Sequence, residues 1–85
     1  MPYTVLLRPA ADRDRRSLPP DIRQRMGEAL LSLEADPRPS GALKLAGSRD
    51  RWRIRVGDYR IIYQIDDSAL QVLILRIAHR REAYR

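Results

Sequence analysis

Cysteine is absent from this 85-residue chain, which excludes both a disulfide framework and a thiol nucleophile and fits a reducing compartment, the cytoplasm being the simplest address. Histidine occurs once, as His79, so a single side chain has an unperturbed pKa near neutrality. No apolar run approaches the roughly 20 residues that cross a bilayer, and no charged stretch leading into a continuous apolar one opens the sequence. Neither membrane insertion nor secretion is expected. Repeats and low-complexity tracts are also missing, and the length reads as a single domain over residues 1–85. A chain this short buries only about 60 to 65% of the surface its unfolded form exposes, so its core is thin and a partner has stability to add.

Lysine is nearly absent as well: of 17 basic residues only Lys44 is not arginine, and 11 acidic residues leave a net charge of +6. Guanidinium is planar, permanently ionised and able to grip two phosphate oxygens at once, so this bias favours specific anion contacts over diffuse attraction. The charge is unevenly placed. Residues 1–48 carry eight basic and six acidic groups, whereas residues 49–85 carry nine and five. The C-terminal half is the electrostatic footprint, and nucleic acid is the first ligand to consider.

The expected fold is α+β. Tyr3 to Arg8 reads as a first strand ended by Pro9, and Ala10 to Ser17 as a short charged helix anchored by Ala11 and Leu18. Pro19 and Pro20 open a second helix, on which Ile22, Met26, Ala29, Leu30 and Leu33 recur at helical spacing until Asp36-Pro37-Arg38-Pro39 stops it. Ser40 to Ser48 reads as a connector. Three strands in an antiparallel meander are expected at about Arg51 to Val56, Tyr59 to Asp66 and Ala69 to Ala78, with the helices packed on one sheet face. The last strand is apolar on both faces, as suits a central position or one flanked by the N-terminal strand.

Alternation then assigns faces. Trp52, Ile54 and Val56 enter the core while Arg53 and Arg55 line the other side, and Arg60 joins them from the next strand. Strict alternation along the last strand sends Val72, Ile74, Arg76 and Arg80 to the arginine face and Leu73, Leu75, Ile77 and His79 inward, unless a bulge or strand end near Ala78 relaxes it. Trp52 reads as a core aromatic. Asp66 and Asp67, beside Ser68, follow turn preference, and no metal site is expected.

The string from Lys44-Leu45-Ala46-Gly47 through Trp52-Arg53-Ile54-Arg55-Val56-Gly57-Asp58-Tyr59-Arg60-Ile61-Ile62-Tyr63, ending in Ile77-Ala78-His79-Arg80-Arg81-Glu82-Ala83-Tyr84, resembles the RelE/ParE toxin superfamily. The order strand, two helices, three strands is similar too, so the resemblance covers nearly the whole chain. It implies a small toxin neutralised by a cognate antitoxin, RelB-like or of another type. In the RelE branch it implies a toxin that enters the ribosome and cuts messenger RNA with no metal or other cofactor, close to ribosomal RNA.

Carried over to this chain, the resemblance puts the family's basic strand positions on Arg53, Arg55 and Arg60, its late arginine on Arg80 and its C-terminal tyrosine on Tyr84. With His79 added for its pKa near neutrality and Lys44 for its charge, the expected catalytic residues are Arg60, His79, Arg80 and Tyr84 and the RNA- and phosphate-binding set is Lys44, Arg53, Arg55, Arg60 and Arg80. The reaction needs a deprotonated 2′-OH, a stabilised phosphorane and a protonated 5′-oxygen. The arginines suit the second role. The RelE branch has lysines at the positions of Arg53 and Arg55, and arginine is a poor general base because its pKa lies above about 12. His79 is then either the acid or base, or a hydrogen-bonded structural residue. Tyr84 stacks on a base, orients the phosphate, or packs on the fold near the terminus. The alternatives are a ParE-like toxin that inhibits DNA gyrase without nuclease activity, and a decayed toxin that survives as an antitoxin-binding module.

Overall fold

A computed structural model describes residues 2–81. Its elements are β1 (Thr4–Leu7), α1 (Pro9–Arg16), α2 (Pro20–Ala35), β2 (Leu43–Lys44), β3 (Arg51–Val56), β4 (Tyr59–Asp66) and β5 (Gln71–His79). Pro9 both ends β1 and starts α1, where its missing N–H costs nothing, and Pro20 opens α2 in the same way.

The sheet is larger than a three-stranded meander and is mixed. Its order is β1-β5-β4-β3-β2, with β1 running parallel to β5 in the register Val5↔Val72 and Leu7↔Ile74. β5 is therefore flanked on both sides, which is why its sequence is apolar on both faces. The short β2 comes from the expected connector. Only Leu43 and Lys44 pair, opposite Arg53 and Trp52, too short a run for any period to register.

The helices cover one sheet face. Met26, Leu30 and Leu33 of α2 and Ala11 of α1 join Ile54, Ile61, Tyr63, Ile65, Val72, Ile74 and Ile77 in one buried cluster. Burying side chains of this size is worth about 1.5–3 kcal/mol each, and this cluster holds the sheet rigid behind its other face. Trp52 is half-buried at the cluster's margin, with the Arg38 guanidinium 5.3 Å from its ring centroid.

β5 departs from strict alternation. Ile62 pairs with Arg76 but Tyr63 pairs with Ile74, so Leu75 is an extra residue opposite no partner. This bulge places Val72 and Ile74 in the core together with Ile77, correcting the expected arginine-face position of the first two. It lies three residues before Ala78, the place at which a bulge or strand end would have freed His79 from the alternation. Beyond Ile74, β1 no longer covers β5, and Asp14 of α1 takes its place: its carboxylate accepts the Ile77 N–H at 2.9 Å and two bonds from Arg76 at 2.7 and 3.2 Å.

Candidate nucleic-acid interface

The face that the helices leave open carries the arginines. β3 and β4 are joined by Gly57-Asp58, and Gly57 takes a φ of 61°, a left-handed value suited to the first central position of a two-residue hairpin. A side chain there would also meet the Arg25 guanidinium at 3.3 Å, so the tight turn brings α2 and the hairpin together. The turn fixes the register Arg55↔Arg60 and Arg53↔Ile62, and β5 adds Ala78 opposite Arg60. Cross-strand partners share a face, so Arg53, Arg55 and Arg60 converge as alternation requires.

Arg60 is the centre of this group. It is only 9% exposed, its Nη1 donates to the Tyr59 carbonyl at 3.3 Å, and its Nε has no hydrogen-bond partner among the described residues. An unsatisfied buried donor costs about 1–3 kcal/mol, and more when charged. Directly opposite stands a second cation, Arg55, whose Nε donates to the Gly57 carbonyl at 3.0 Å. Like charges facing each other across a sheet oppose folding. Among the described residues no carboxylate pairs with Arg55, Arg60 or Arg80; Asp12, Asp14 and Asp67 pair with Arg15, Arg16, Arg76 and Arg38 instead. The arrangement stores unfavourable charge that an anion relieves.

Arg80 follows two residues after Ala78. Its backbone N–H donates to the Asp58 carbonyl at 2.7 Å, which ties the end of β5 to the β3–β4 hairpin and leaves its side chain exposed at the same end of the sheet as Arg55. Arg51, not among the expected site residues, stands on the face of Arg53 and Arg55 by the same alternation, a signal already present in the spacing.

Two expected members stand elsewhere. Lys44 pairs with Trp52, so the register gives it the core-side face, and Leu43 takes the position opposite Arg53. His79 pairs with Tyr59 on the helix side, their rings edge to face at 5.4 Å, and the two line a cleft of about 270 Å³ with Asp14, Ser17, Leu18 and Ile77. The sheet thus separates His79 from Arg60, and Ala78 stands in the neighbouring outward position. Tyr84 lies outside the described residues. Asp66 accepts bonds from the Ser68 hydroxyl and Ala69 N–H at 2.8 and 3.0 Å, as its turn position requires.

Comparison with known proteins identifies the family to which this fold belongs. Residues 5–84 match the family model described as the ParE toxin of type II toxin-antitoxin system, parDE. Toxin RelG of Mycobacterium tuberculosis is 40% identical, with 100% of this chain and 99% of that protein covered. The structure superposes on the toxin-antitoxin complex RelBE2 of Mycobacterium tuberculosis with a TM-score of 0.83 and 34% identity, over 93% of this chain and 99% of the other. The archaeal RelE-RelB complex of Pyrococcus horikoshii OT3 gives a TM-score of 0.85 and 32% identity, over 98% and 100%. With its helices behind the sheet and its arginines in front, the chain belongs to the RelE/ParE superfamily of type II toxin–antitoxin toxins.

Proposed function

We propose that this toxin is a ribosome-dependent, metal-independent endoribonuclease. The buried Arg60, with its Nε unpartnered among the described residues and Arg55 opposite, is the observation that carries the reading. A phosphodiester placed over Arg53, Arg55, Arg60 and Arg80 offsets their mutual repulsion, and a small outward turn of the Arg60 side chain lets it satisfy the buried donor as well. The adjacent 2′-oxygen then attacks phosphorus, losing its proton to solvent, and the phosphorane gains charge that the guanidiniums neutralise more strongly than they do the ground state. The P–O5′ bond breaks, the 5′-oxygen takes a proton, and the products are a 2′,3′-cyclic phosphate and a 5′-hydroxyl. His79 has no proton-transfer role in this scheme, because it lies behind the sheet.

Mapping messenger RNA ends on translating ribosomes tests the scheme. Arg60→Ala is expected to cut on the order of 100-fold more slowly, as is Arg60→Met, which keeps the packed volume and replaces a buried charge by an apolar group. His79→Ala is expected to stay within a few-fold of wild type. Uncut messenger RNA with the wild-type protein defeats the reading.

A second reading, inhibition of DNA gyrase, is favoured by the ParE description of the matching family model. DNA breakage on induction with intact messenger RNA decides for it. In either case the partner is a cognate antitoxin, as RelB is for the RelE toxins in the two superposed complexes, and the net charge of +6 favours an antitoxin segment that carries acidic side chains. A ribosomal target places the protein in the cytoplasm.

A further inference from the structure

A second group of arginines stands apart from the Arg60 cluster. A groove of about 470 Å³ is lined by Arg8, Pro9, Ala10, Arg13, Arg51 and Leu75. Its three guanidiniums come from three places in the chain: the residue that precedes α1, the middle of α1, and the first position of β3. Leu75, the residue that the β5 bulge inserts, supplies apolar lining between them.

Charge sorting around α1 sets this groove apart. Arg15 and Arg16 are neutralised by Asp12 at 3.1 and 3.0 Å, and Arg76 by Asp14 at 2.7 Å. Among the described residues no carboxylate pairs with Arg8, Arg13 or Arg51, and none lines the groove. The start of α1 adds the positive end of the helix dipole. All three are exposed, so solvent screens their mutual repulsion, and a multivalent anion in the concavity gains from all three at once.

The occupant follows from position. Arg51 shares its face of β3 with Arg53 and Arg55, and four residues of strand separate Arg51 from Arg55 by about 13 Å. One phosphate cannot bridge that span, but a polyanionic chain crossing the face meets both sets. Among the described residues the groove is lined by guanidiniums and small or aliphatic side chains, a lining that suits contact with a phosphate backbone.

We propose that Arg8, Arg13 and Arg51 form a second, non-catalytic phosphate-binding site that grips an RNA backbone at a distance from the scissile phosphate. The proposal rests on the nucleic-acid part of the reading above.

The test is equilibrium binding of the full-length toxin to vacant ribosomes and, separately, to unstructured oligouridine, across about 50 to 200 mM salt. In an Arg8→Ala/Arg13→Ala/Arg51→Ala variant the slope of log affinity against log salt is expected to fall by about 2 to 3, from three lost contacts at roughly 0.7–0.9 each. Arg51→Gln alone, an exposed single change, is expected to lower it by slightly less than about 1. Loss with ribosomes only identifies ribosomal RNA as the source of the phosphates, and loss with oligouridine as well identifies single-stranded RNA; both support the site. Unchanged affinity and slope with both ligands overturn it, as does weakened antitoxin binding with RNA binding intact. Cleavage is read apart from binding: a wild type that binds RNA but never cuts it defeats the nuclease reading and leaves this site standing.

Discussion

Two polar side chains of β4 show how differently one strand uses burial. Tyr63 is fully buried, yet its hydroxyl donates to the Pro37 carbonyl at 2.7 Å, and burial pushes its pKa up to about 12. It is a satisfied structural group. Arg60, on the opposite face, has no such answer for its Nε among the described residues, and that contrast is what the proposed anion site rests on. At the other end of the sheet Asp67 receives two bonds from Arg38 and one from the Tyr3 hydroxyl at 2.6 Å, and these hold its pKa down at about 2, against an ordinary 3.8. A depressed folded-state pKa gives stability that is complete above the unfolded value and is lost as pH falls through the folded one. The stability difference between wild type and Asp67→Asn, read by urea denaturation, is therefore expected to be level above about pH 5 and to shrink steadily from about pH 4 down to pH 2. Arg53, Arg55 and Arg60 were legible because a period of two and a two-residue turn leave alternation between β3 and β4 no freedom, whereas His79 keeps its inward place only because it lies beyond the β5 bulge, in step with Ile77. Lys44 was not, because its face depends on a two-residue pairing that no pattern announces.

Among the elements, α1 does more than its eight residues suggest. Asp14 caps the part of β5 that β1 fails to reach, so one carboxylate serves both a strand N–H and Arg76. Asp14→Ala is expected to cost about 1–3 kcal/mol by leaving the Ile77 N–H unanswered, whereas Asp14→Asn keeps an acceptor there and is expected to lose less. Chemical denaturation of both variants checks the order. The helices, the β3–β4 hairpin and the central character of β5 could be read from apolar spacing, proline placement and turn residues. The Leu75 bulge could not, since an inserted residue shifts the alternation without changing the composition around it. The β1–β5 pairing was half legible: the two-sided apolar character of β5 asked for a neighbour, but only the fold says that β1 fills the place and runs parallel.

At the scale of the whole molecule, +6 net charge is segregated rather than spread. Asp12, Asp14 and Asp67 neutralise arginines of α1, β5 and the loop after α2, while the Arg55–Arg60 pair and the Arg8–Arg13–Arg51 groove stay unpaired among the described residues. Inorganic phosphate is therefore expected to raise the melting temperature by a few degrees over chloride at equal ionic strength. At about ten times its dissociation constant a bound ion adds about 1.4 kcal/mol. The excess is expected to diminish in Arg60→Met, and calorimetry in the two salts measures it. The order of strands in space carries one more consequence. β5 is made after the other four strands yet lies between β1 and β4, so a nascent chain has no completed platform for its arginines until its final strand leaves the exit tunnel. Until then the pairing that sets Ala78 beside Arg60 does not exist, and the arginine face is incomplete.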